Sequence, residues 1–182
     1  MPLFKKSQAK ELTKKGDVGG LIALATASDY PSERAEAVNS LARFHERVAG
    51  EHHGGVLGVI RAAASDPSAE VRTQALFALG ELRPEGAIDR LLAGVEDLDW
   101  GVRLFAVTML GKFPAPRVVA RVAAVVADDP EGMVREAAAV SLGELGDPGA
   151  IEPLRRAAVD DPEREVRRSA KEALRSLERA SS

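Results

Sequence analysis

One short pattern recurs along this chain, and its recurrence restricts the fold more than any other feature of the sequence. The segment DPSAEVRTQALFALGEL begins at Asp66, and similar segments begin at Asp97, Asp129 and Asp161. The Val-Arg pairs inside them recur at intervals of 31 to 32 residues, at positions 71–72, 102–103, 134–135 and 166–167. A fixed period of about 20 to 50 residues is typical of solenoids, in which each repeat stacks on its neighbours.

A fifth, weaker copy precedes these four. In PSERAEAVNSLARF, Arg34 occupies the arginine position and Glu33 replaces the valine. The interval from Arg34 to Arg72 is 38 residues, which indicates an insertion after the first copy. The inserted residues, FHERVAGEHHGG at positions 44–55, are polar and are predicted to form an exposed loop.

Each copy has the spacing of an amphipathic helix. Val71, Ala75 and Leu79 recur every four residues and form one face of a helix. Asp66 and Pro67 stand before it, which predicts a cap followed by a first turn. A second apolar segment precedes each such helix, behind turn residues rich in Gly and Pro. Every unit is therefore predicted to be a helix A, a turn and a helix B, with a further helix near residues 5–15.

Composition narrows the class of protein. The chain has 182 residues with 45% hydrophobic but only 4% aromatic side chains, which suits helices packed through small residues. It has no cysteine, so disulfides and thiolate zinc sites are excluded. The first residues lack the apolar region of a secretory signal, and no apolar run approaches the length of a membrane span. We therefore expect a cytoplasmic protein with no membrane partner.

The consensus D-P-x-x-x-V-R-x-x-A-x-x-A-L-G-x-L-G-D-P-x-A-I-x-x-L resembles the short bacterial HEAT-like repeat of the phycobilisome-lyase type. Residues 129–154 match it at almost every position, and the resemblance extends over about 17–177. It implies an all-α fold, a right-handed α-solenoid of about five HEAT-like helix-turn-helix repeats. The predicted domains are an N-terminal segment 1–16 with a capping helix and one repeat domain 17–182. Its units would span about 17–50, 51–83, 84–114, 115–146 and 147–182.

The resemblance also assigns roles to the repeated residues. An aspartate stands six residues before the arginine in four copies, as Asp66 does before Arg72. One interpretation is a set of acid-base pairs or an anion site. The resemblance instead implies that these side chains bond within and between neighbouring units and hold the stack in register. Gly80, Gly111 and Gly143 lie inside helix B, where glycine costs about 1 kcal/mol relative to alanine, and close helix approach would offset that cost.

Function is expected where the copies differ. In HEAT-like solenoids helix B lines the concave face, and its exposed positions flank the Val-Arg pair. These positions are polar in the outer copies and apolar in the middle ones. The apolar patch so predicted is the candidate partner-binding site, and it consists of Phe77, Trp100, Leu104, Phe105, Met133 and Val140. Exposed apolar patches usually mark interaction sites, and tryptophan is frequent at binding hot spots.

All three histidines lie in the insertion, at His45, His52 and His53. Together with Glu51 they could ligate a transition metal. His45 and His52 are seven residues apart rather than four, so they do not have the helical spacing of a zincin site. An exposed polar loop without a metal is the favoured interpretation.

No nucleophile with its base and no phosphate-binding glycine loop is recognisable, so we predict neither catalytic residues nor a cofactor. The leading hypothesis is a non-enzymatic adaptor whose concave face binds a helix or peptide of another protein. The alternative, suggested by the resemblance, is a bilin lyase-like or chromophore-handling subunit in which Arg72, Arg103 or Arg135 would meet the propionates. Nucleic acid is disfavoured because the net charge is −3 and the variable positions carry glutamates.

Overall fold

The computed structural model describes residues 7–45 and 51–180, without the side chains of 51–53 and 180. This part of the chain contains eleven α-helices and no strand. In chain order the helices are α1 (Gln8–Lys15), α2 (Val18–Ala27), α3 (Pro31–Phe44), α4 (Glu51–Ala63), α5 (Ala69–Leu82), α6 (Ala87–Gly94), α7 (Trp100–Leu110), α8 (Pro116–Asp128), α9 (Gly132–Leu145), α10 (Ile151–Asp160) and α11 (Arg164–Ala180). The all-α class predicted from the repeat is confirmed.

The chain forms two compact units, Met1–Pro84 and Glu85–Ser182. In the first unit, the A helices α2 and α4 pack on the B helices α3 and α5, and α1 packs on α2 and α3. The division falls within one residue of the boundary between the predicted repeats 51–83 and 84–114. A single repeat domain over 17–182 remains a prediction.

The second unit contains three helix pairs. Its B helices α7, α9 and α11 pack side by side in one row, and α6, α8 and α10 form a second row of A helices against them. Buried positions on both rows are filled mostly by Ala, Val and Leu. Each buried Val or Leu contributes about 1.5 to 3 kcal/mol relative to an exposed one. These rows leave one face of each B helix available to solvent.

The first and the last described helices have polar outer sides. α1 begins at Gln8, after Ser7, whose Oγ accepts the backbone N–H of Lys10 at 3.3 Å. Ala9 is buried on its inner side. α11 presents an exposed charged face formed by Arg168, Lys171, Glu172, Arg175 and Glu178. None of the helices in the described ranges combines the length and the apolar character needed to cross a membrane.

The start of α5 differs from the prediction. Ser68 is the N-cap residue, and the helix begins at Ala69 rather than directly after Asp66. Asp66 Oδ1 instead accepts the backbone N–H of Ser68 at 2.8 Å. The reason is local, because a residue before proline avoids the helical region and aspartate favours a turn bond two residues ahead. Asp66 and Pro67 therefore form a turn that precedes the helix.

The inserted segment 44–55 was predicted to be a loop, and this is wrong for its last residues. α3 ends at Phe44, but α4 already begins at Glu51. Val56, Ile60 and Ala63 are buried at helical spacing and hold one face of α4 against the unit. The helix then continues for one further turn toward its N-terminus. Residues 46–50 lie outside the described part of the chain.

Candidate functional site

The repeated arginines bind both the turn of their own repeat and the aspartate of the next one. Nε and one terminal nitrogen of Arg135 donate to the two carboxylate oxygens of Asp161 at 2.8 and 3.1 Å. The other terminal nitrogen donates to the carbonyl oxygens of Asp129 and Pro130 at 2.8 and 3.2 Å. Asp161 also accepts the backbone N–H of Glu163 at 2.9 Å. One guanidinium thus joins two successive repeats.

The same pairing recurs at two other places. Arg103 donates to both carboxylate oxygens of Asp129 at 2.8 and 3.0 Å in the second unit. Arg34 donates to both oxygens of Asp66 at 2.9 and 2.8 Å in the first unit. These bonds confirm that the repeated side chains bond within and between neighbouring repeats. Bidentate pairs of this kind leave the carboxylates fully engaged and hold the helices in register.

The pKa values of these carboxyls agree with a structural role. Hydrogen bonds from Arg34 hold the pKa of Asp66 below its usual range, although burial opposes them. Burial alone would raise the pKa of Asp161, but the hydrogen bonds from Arg135 and from the N–H of Glu163 outweigh it and lower that pKa. A general base at neutral pH needs a pKa raised toward 7. The Arg34–Asp66 and Arg135–Asp161 pairs are therefore unsuited to general-base chemistry.

Five of the six residues predicted to be exposed on the B helices are exposed. Trp100 and Phe105 expose 45% and 40% of their surface, and Phe77, Met133 and Val140 are exposed as well. Leu104 is half-buried. Val102, Ala106 and Leu110 are fully buried on the opposite side of α7. The helical register inferred from the sequence is therefore correct in this region.

A groove of 280 Å³ lies between α7 and α9. Leu104, Met133 and Val140 form its apolar walls, and the small residues Ala137 and Ser141 lie between them. Ser141 is buried, and its Oγ donates to the carbonyl oxygen of Val107 on α7 at 3.1 Å. Three of the six predicted site residues thus line one groove.

Trp100 extends the apolar surface beyond the groove. It is the first residue of α7, which begins there because Asp99 Oδ1 accepts the N–H of Val102 at 3.1 Å. Trp100 stands four residues before Leu104, so the two share one face of the helix. Phe105 is rotated by about 100° from Leu104 around the helix, and it is not among the residues that line the groove.

Phe77 lies on α5 in the first unit. It is exposed there, between the buried residues Leu76 and Ala78. The other five predicted site residues lie in the second unit. The partner-binding role of all six residues remains a prediction.

Two carboxylates line the groove. Glu136 lies toward the start of α9, and its Oε1 accepts a hydrogen bond from Ser169 Oγ at 2.9 Å. Glu144 lies near the end of α9, where its Oε2 sits 2.8 Å from the position that a Cβ on Gly111 would occupy. Both line the groove, and no basic residue lines it. The groove is therefore apolar along its walls and acidic at two points.

Sequence reasoning missed one exposed apolar residue of the second unit, which lines a cavity near α8 and not the groove. Leu98 lies in the turn before α7 and exposes 99% of its surface. The other three turns of this kind have Pro67, Pro130 or Pro162 at the corresponding position. An alignment of the copies at their aspartates carries this signal, because Leu98 is the departure from a repeated proline. It adds an apolar side chain two residues from Trp100.

Two other cavities of the second unit are lined by more charged side chains than the groove. One of 670 Å³ lies between α8 and α10, and its charged lining consists of Asp129, Arg135, Glu152, Arg156, Asp160 and Asp161. Both arginines are engaged, Arg135 as described and Arg156 with Glu152 at 3.2 Å. The cavity therefore has four carboxylates and no available cation for an anionic ligand.

No group of residues capable of holding a metal exists among the side chains that the structure describes. The alternative of a metal site at the insertion rests on His52 and His53, whose side chains lie outside the described residues. His45 is the residue that follows α3, at its C-terminal end. A metal site at the insertion is therefore not part of the candidate site.

Comparison with known proteins gives a family match and a set of structural relatives. HEAT repeats match residues 18–103 and 88–175. No curated protein matches the chain. The complex of CpcE and CpcF of phycocyanin lyase from Nostoc sp. has a TM-score of 0.68 and 22% identity, and the alignment covers 89% of this chain and 65% of that chain.

Two further solved structures have similar scores. Human deoxyhypusine hydroxylase in complex with glycerol has a TM-score of 0.60 and 23% identity over 94% of this chain and 77% of that chain. A designed armadillo repeat protein in complex with the peptide (KR)4 has a TM-score of 0.62 and 19% identity over 96% of this chain and 87% of that chain. At such low identities the likeness establishes the fold, an all-α repeat solenoid.

Proposed function

Because the chain belongs to the HEAT-repeat family, we propose that it is a non-enzymatic adaptor that binds a helix or an extended peptide of another protein. The binding surface is the exposed face of the B helices, the face that the repeat resemblance predicts to be concave. HEAT and armadillo-like repeats commonly bind proteins or peptides, and the designed armadillo relative holds a peptide. Fold alone does not give function, so the proposal depends on the site itself.

The observation that carries the proposal is the groove between α7 and α9. Its volume of 280 Å³ is below the roughly 300 to 1,000 Å³ of pockets that bury a whole small molecule. It suits one or two apolar side chains of a larger partner. Leu104, Met133 and Val140 offer the apolar contact, and the exposed Trp100, on the same face of α7 as Leu104, extends it. Apolar anchors in such grooves are typical of helix and peptide recognition.

The competing hypothesis of bilin handling has less support. In this hypothesis Arg72, Arg103 or Arg135 would bind the propionates of the chromophore. The guanidinium groups of Arg103 and Arg135 are each bound to an aspartate and to backbone carbonyls. The larger cavity between α8 and α10 carries an excess of carboxylates, which disfavours a dianionic ligand. The resemblance to phycocyanin lyase concerns the fold.

The test is a selection of peptides from a random 12-residue phage library on the immobilised protein. The clones are then assayed on Met133→Gln/Val140→Gln, which places polar groups in the groove. Val159→Gln is the matched control, because Val159 is an exposed valine on α10 that does not line the groove, and it exposes 70% of its surface against 46% for Val140. Circular dichroism verifies that each variant has the helicity of the wild type.

We expect a set of peptides that bind the wild type and the Val159 variant and lose most of their affinity for the groove variant. Trp100→Ala/Phe105→Ala is expected to weaken the same peptides while the helicity stays unchanged, because both side chains are exposed. If no selected peptide depends on the groove, the proposal is wrong. Loss of helicity in the Trp100/Phe105 variant would show that this pair supports the fold.

A further inference from the structure

We infer that the partner segment is basic as well as apolar, with one aliphatic anchor between two Lys or Arg residues. The inference rests on the proposed function, because it concerns the occupant of the same groove. Two carboxylates and no cation line this groove. An apolar partner without positive charge would have to remove part of the water around Glu136 and Glu144 without replacing it, which costs free energy.

Glu144 is the stronger of the two determinants. Its carboxylate lies against Gly111, the C-cap residue of α7. The C-terminal end of a helix carries a partial negative charge, so a carboxylate is unfavourable there and a cation is favourable. In the described part of the chain no ion pair engages Glu144. Lys112 follows Gly111 in sequence but does not line the groove. A basic side chain of the partner would compensate both negative charges.

Glycine at position 111 makes this arrangement possible. A Cβ there would stand 2.8 Å from Glu144 Oε2 and 3.1 Å from the Cβ and Oγ of Ser141. Any larger residue would displace the carboxylate from the end of α7. The bond from Ser141 to Val107 and the contact from Glu144 to Gly111 follow the same order along both helices, so α7 and α9 run in the same direction.

The spacing along α9 determines the pattern expected in the partner. Glu136 and Glu144 are eight residues apart, which corresponds to about 12 Å along a helix, and Val140 lies midway between them. An extended segment covers that distance in about four residues, at roughly 3.3 Å per residue. A helical segment covers it in about seven or eight. The partner therefore carries two basic residues at one of these spacings, with its aliphatic anchor over Val140.

Glu136 differs from Glu144 because its Oε1 already accepts a hydrogen bond from Ser169. That bond orients the carboxylate and occupies Oε1, while Oε2 accepts no hydrogen bond from the residues that the structure describes. Ser169 contributes no positive charge, so this bond does not form an ion pair with Glu136. Arg168, on the neighbouring helix α11, lies within reach of Glu165 and Glu172 at 3.0 and 4.0 Å. Its charge is therefore balanced within α11.

The phage-selected peptides that depend on the groove are sequenced, and their affinity is measured for the Glu136→Gln/Glu144→Gln variant. Asp128→Asn/Asp160→Asn is the matched control, since it removes two exposed carboxylates of the same unit that do not line the groove. We expect enrichment of Lys and Arg around an aliphatic residue. We also expect a loss of about two- to fivefold in affinity for each neutralised glutamate, the range of a solvent-exposed ion pair, and a smaller loss at high salt.

The outcomes separate the two claims. Groove-dependent peptides without basic enrichment, or with equal affinity for the Glu136/Glu144 variant and the wild type, would overturn the inference and leave the adaptor function standing. Equal losses in the Asp128/Asp160 control would also overturn it, because the effect would then reflect net charge. The absence of any groove-dependent peptide would reject both the inference and the proposed function.

Discussion

At the scale of single residues, the arginine at the Val-Arg pair determines how successive repeats are joined. Its guanidinium has five donors in a planar fork, and the structure uses them on two sides. Arg135 reaches the carbonyls of Asp129 and Pro130 in its own repeat and the carboxylate of Asp161 in the next. A lysine could not satisfy these acceptors together, because its ammonium is a single point charge.

The buried ion pair between Arg135 and Asp161 predicts that a single substitution strongly lowers the stability of the protein. Asp161→Ala leaves the guanidinium of Arg135 buried without its main partner, so the free energy of unfolding is expected to fall by about 3 kcal/mol. Arg117→Gln removes the exposed pair with Asp89 and is expected to cost less than about 1 kcal/mol. Urea denaturation followed by circular dichroism measures both. Equal losses would show that burial of the pair does not determine its contribution.

The lowered pKa values of Asp66 and Asp161 predict the acid dependence of stability. A carboxyl whose pKa is lower in the folded state than in the unfolded state stabilises the fold fully above the unfolded pKa, which is about 3.9. That contribution is lost as the pH falls below this value toward the folded pKa. Stability from these groups is therefore expected to be constant from pH 7 to 5 and to decrease below about pH 4.

The measurement is urea denaturation at pH 7, 5, 4 and 3 for the wild type and for Asp66→Asn/Asp161→Asn. The variant should be less stable at pH 7 and should lose less stability between pH 4 and 3, because it has no charge to lose at these two positions. If the stability of the variant decreases between pH 4 and 3 as steeply as that of the wild type, the assignment to these two carboxyls is contradicted.

At the scale of the helices, glycine and small residues determine how closely the B helices approach. A Cβ on Gly143 of α9 would stand 2.9 Å from the Cβ and 3.2 Å from the Cα of Ala173 on α11. Gly111, which occupies the same position in the preceding repeat, lies against Ser141 of α9. Both glycines lie where two helices approach closely, but the prediction that Gly111 lies inside a helix is wrong, because it is the C-cap residue of α7. At Gly143, inside α9, the close approach explains why glycine is present despite its cost of about 1 kcal/mol.

Gly143→Ala and Gly58→Ala are expected to have opposite effects. Gly58 lies inside α4, and no atom would lie within 4 Å of a Cβ added there. Alanine at this position should therefore stabilise the protein by about 1 kcal/mol. At Gly143 the backbone of Ala173 cannot move away freely, and the variant is expected to lose about 1 kcal/mol. Thermal and urea denaturation give both signs. Combining Gly143→Ala with Ala173→Gly should recover part of the loss, and purely additive effects would contradict the contact.

How much the sequence predicts differs between elements. The B helices and their exposed residues follow from periodicity, because Val102, Ala106 and Leu110 are buried and Trp100 and Phe105 are exposed as their spacing predicts. The start of α4 does not follow, because its polar and glycine-rich first turn has weak helix propensity and is helical through the packing of Val56 and Ile60. The groove itself required coordinates, since it depends on how Ser141 and Glu144 meet α7.

At the scale of the whole molecule, the candidate site lies almost entirely within one of two compact units. The groove, Trp100 and Leu98 belong to Glu85–Ser182, while Phe77 belongs to Met1–Pro84. Repeat proteins derive stability from each repeat and its contacts with its neighbours, so part of an array can fold without the rest. The distribution of the site therefore predicts how much of the chain a partner requires.

A fragment of residues 85–182 is expected to be helical, to unfold cooperatively with a lower free energy than the full chain, and to bind the groove-dependent peptides as the full chain does. Circular dichroism, urea denaturation and fluorescence anisotropy with labelled peptides measure these properties, and the Met133→Gln/Val140→Gln fragment is the negative control. A folded fragment that no longer binds would assign part of the binding surface to the first unit. Phe77→Ala in the full chain would then weaken the peptides, whereas it should have no effect if the second unit is sufficient.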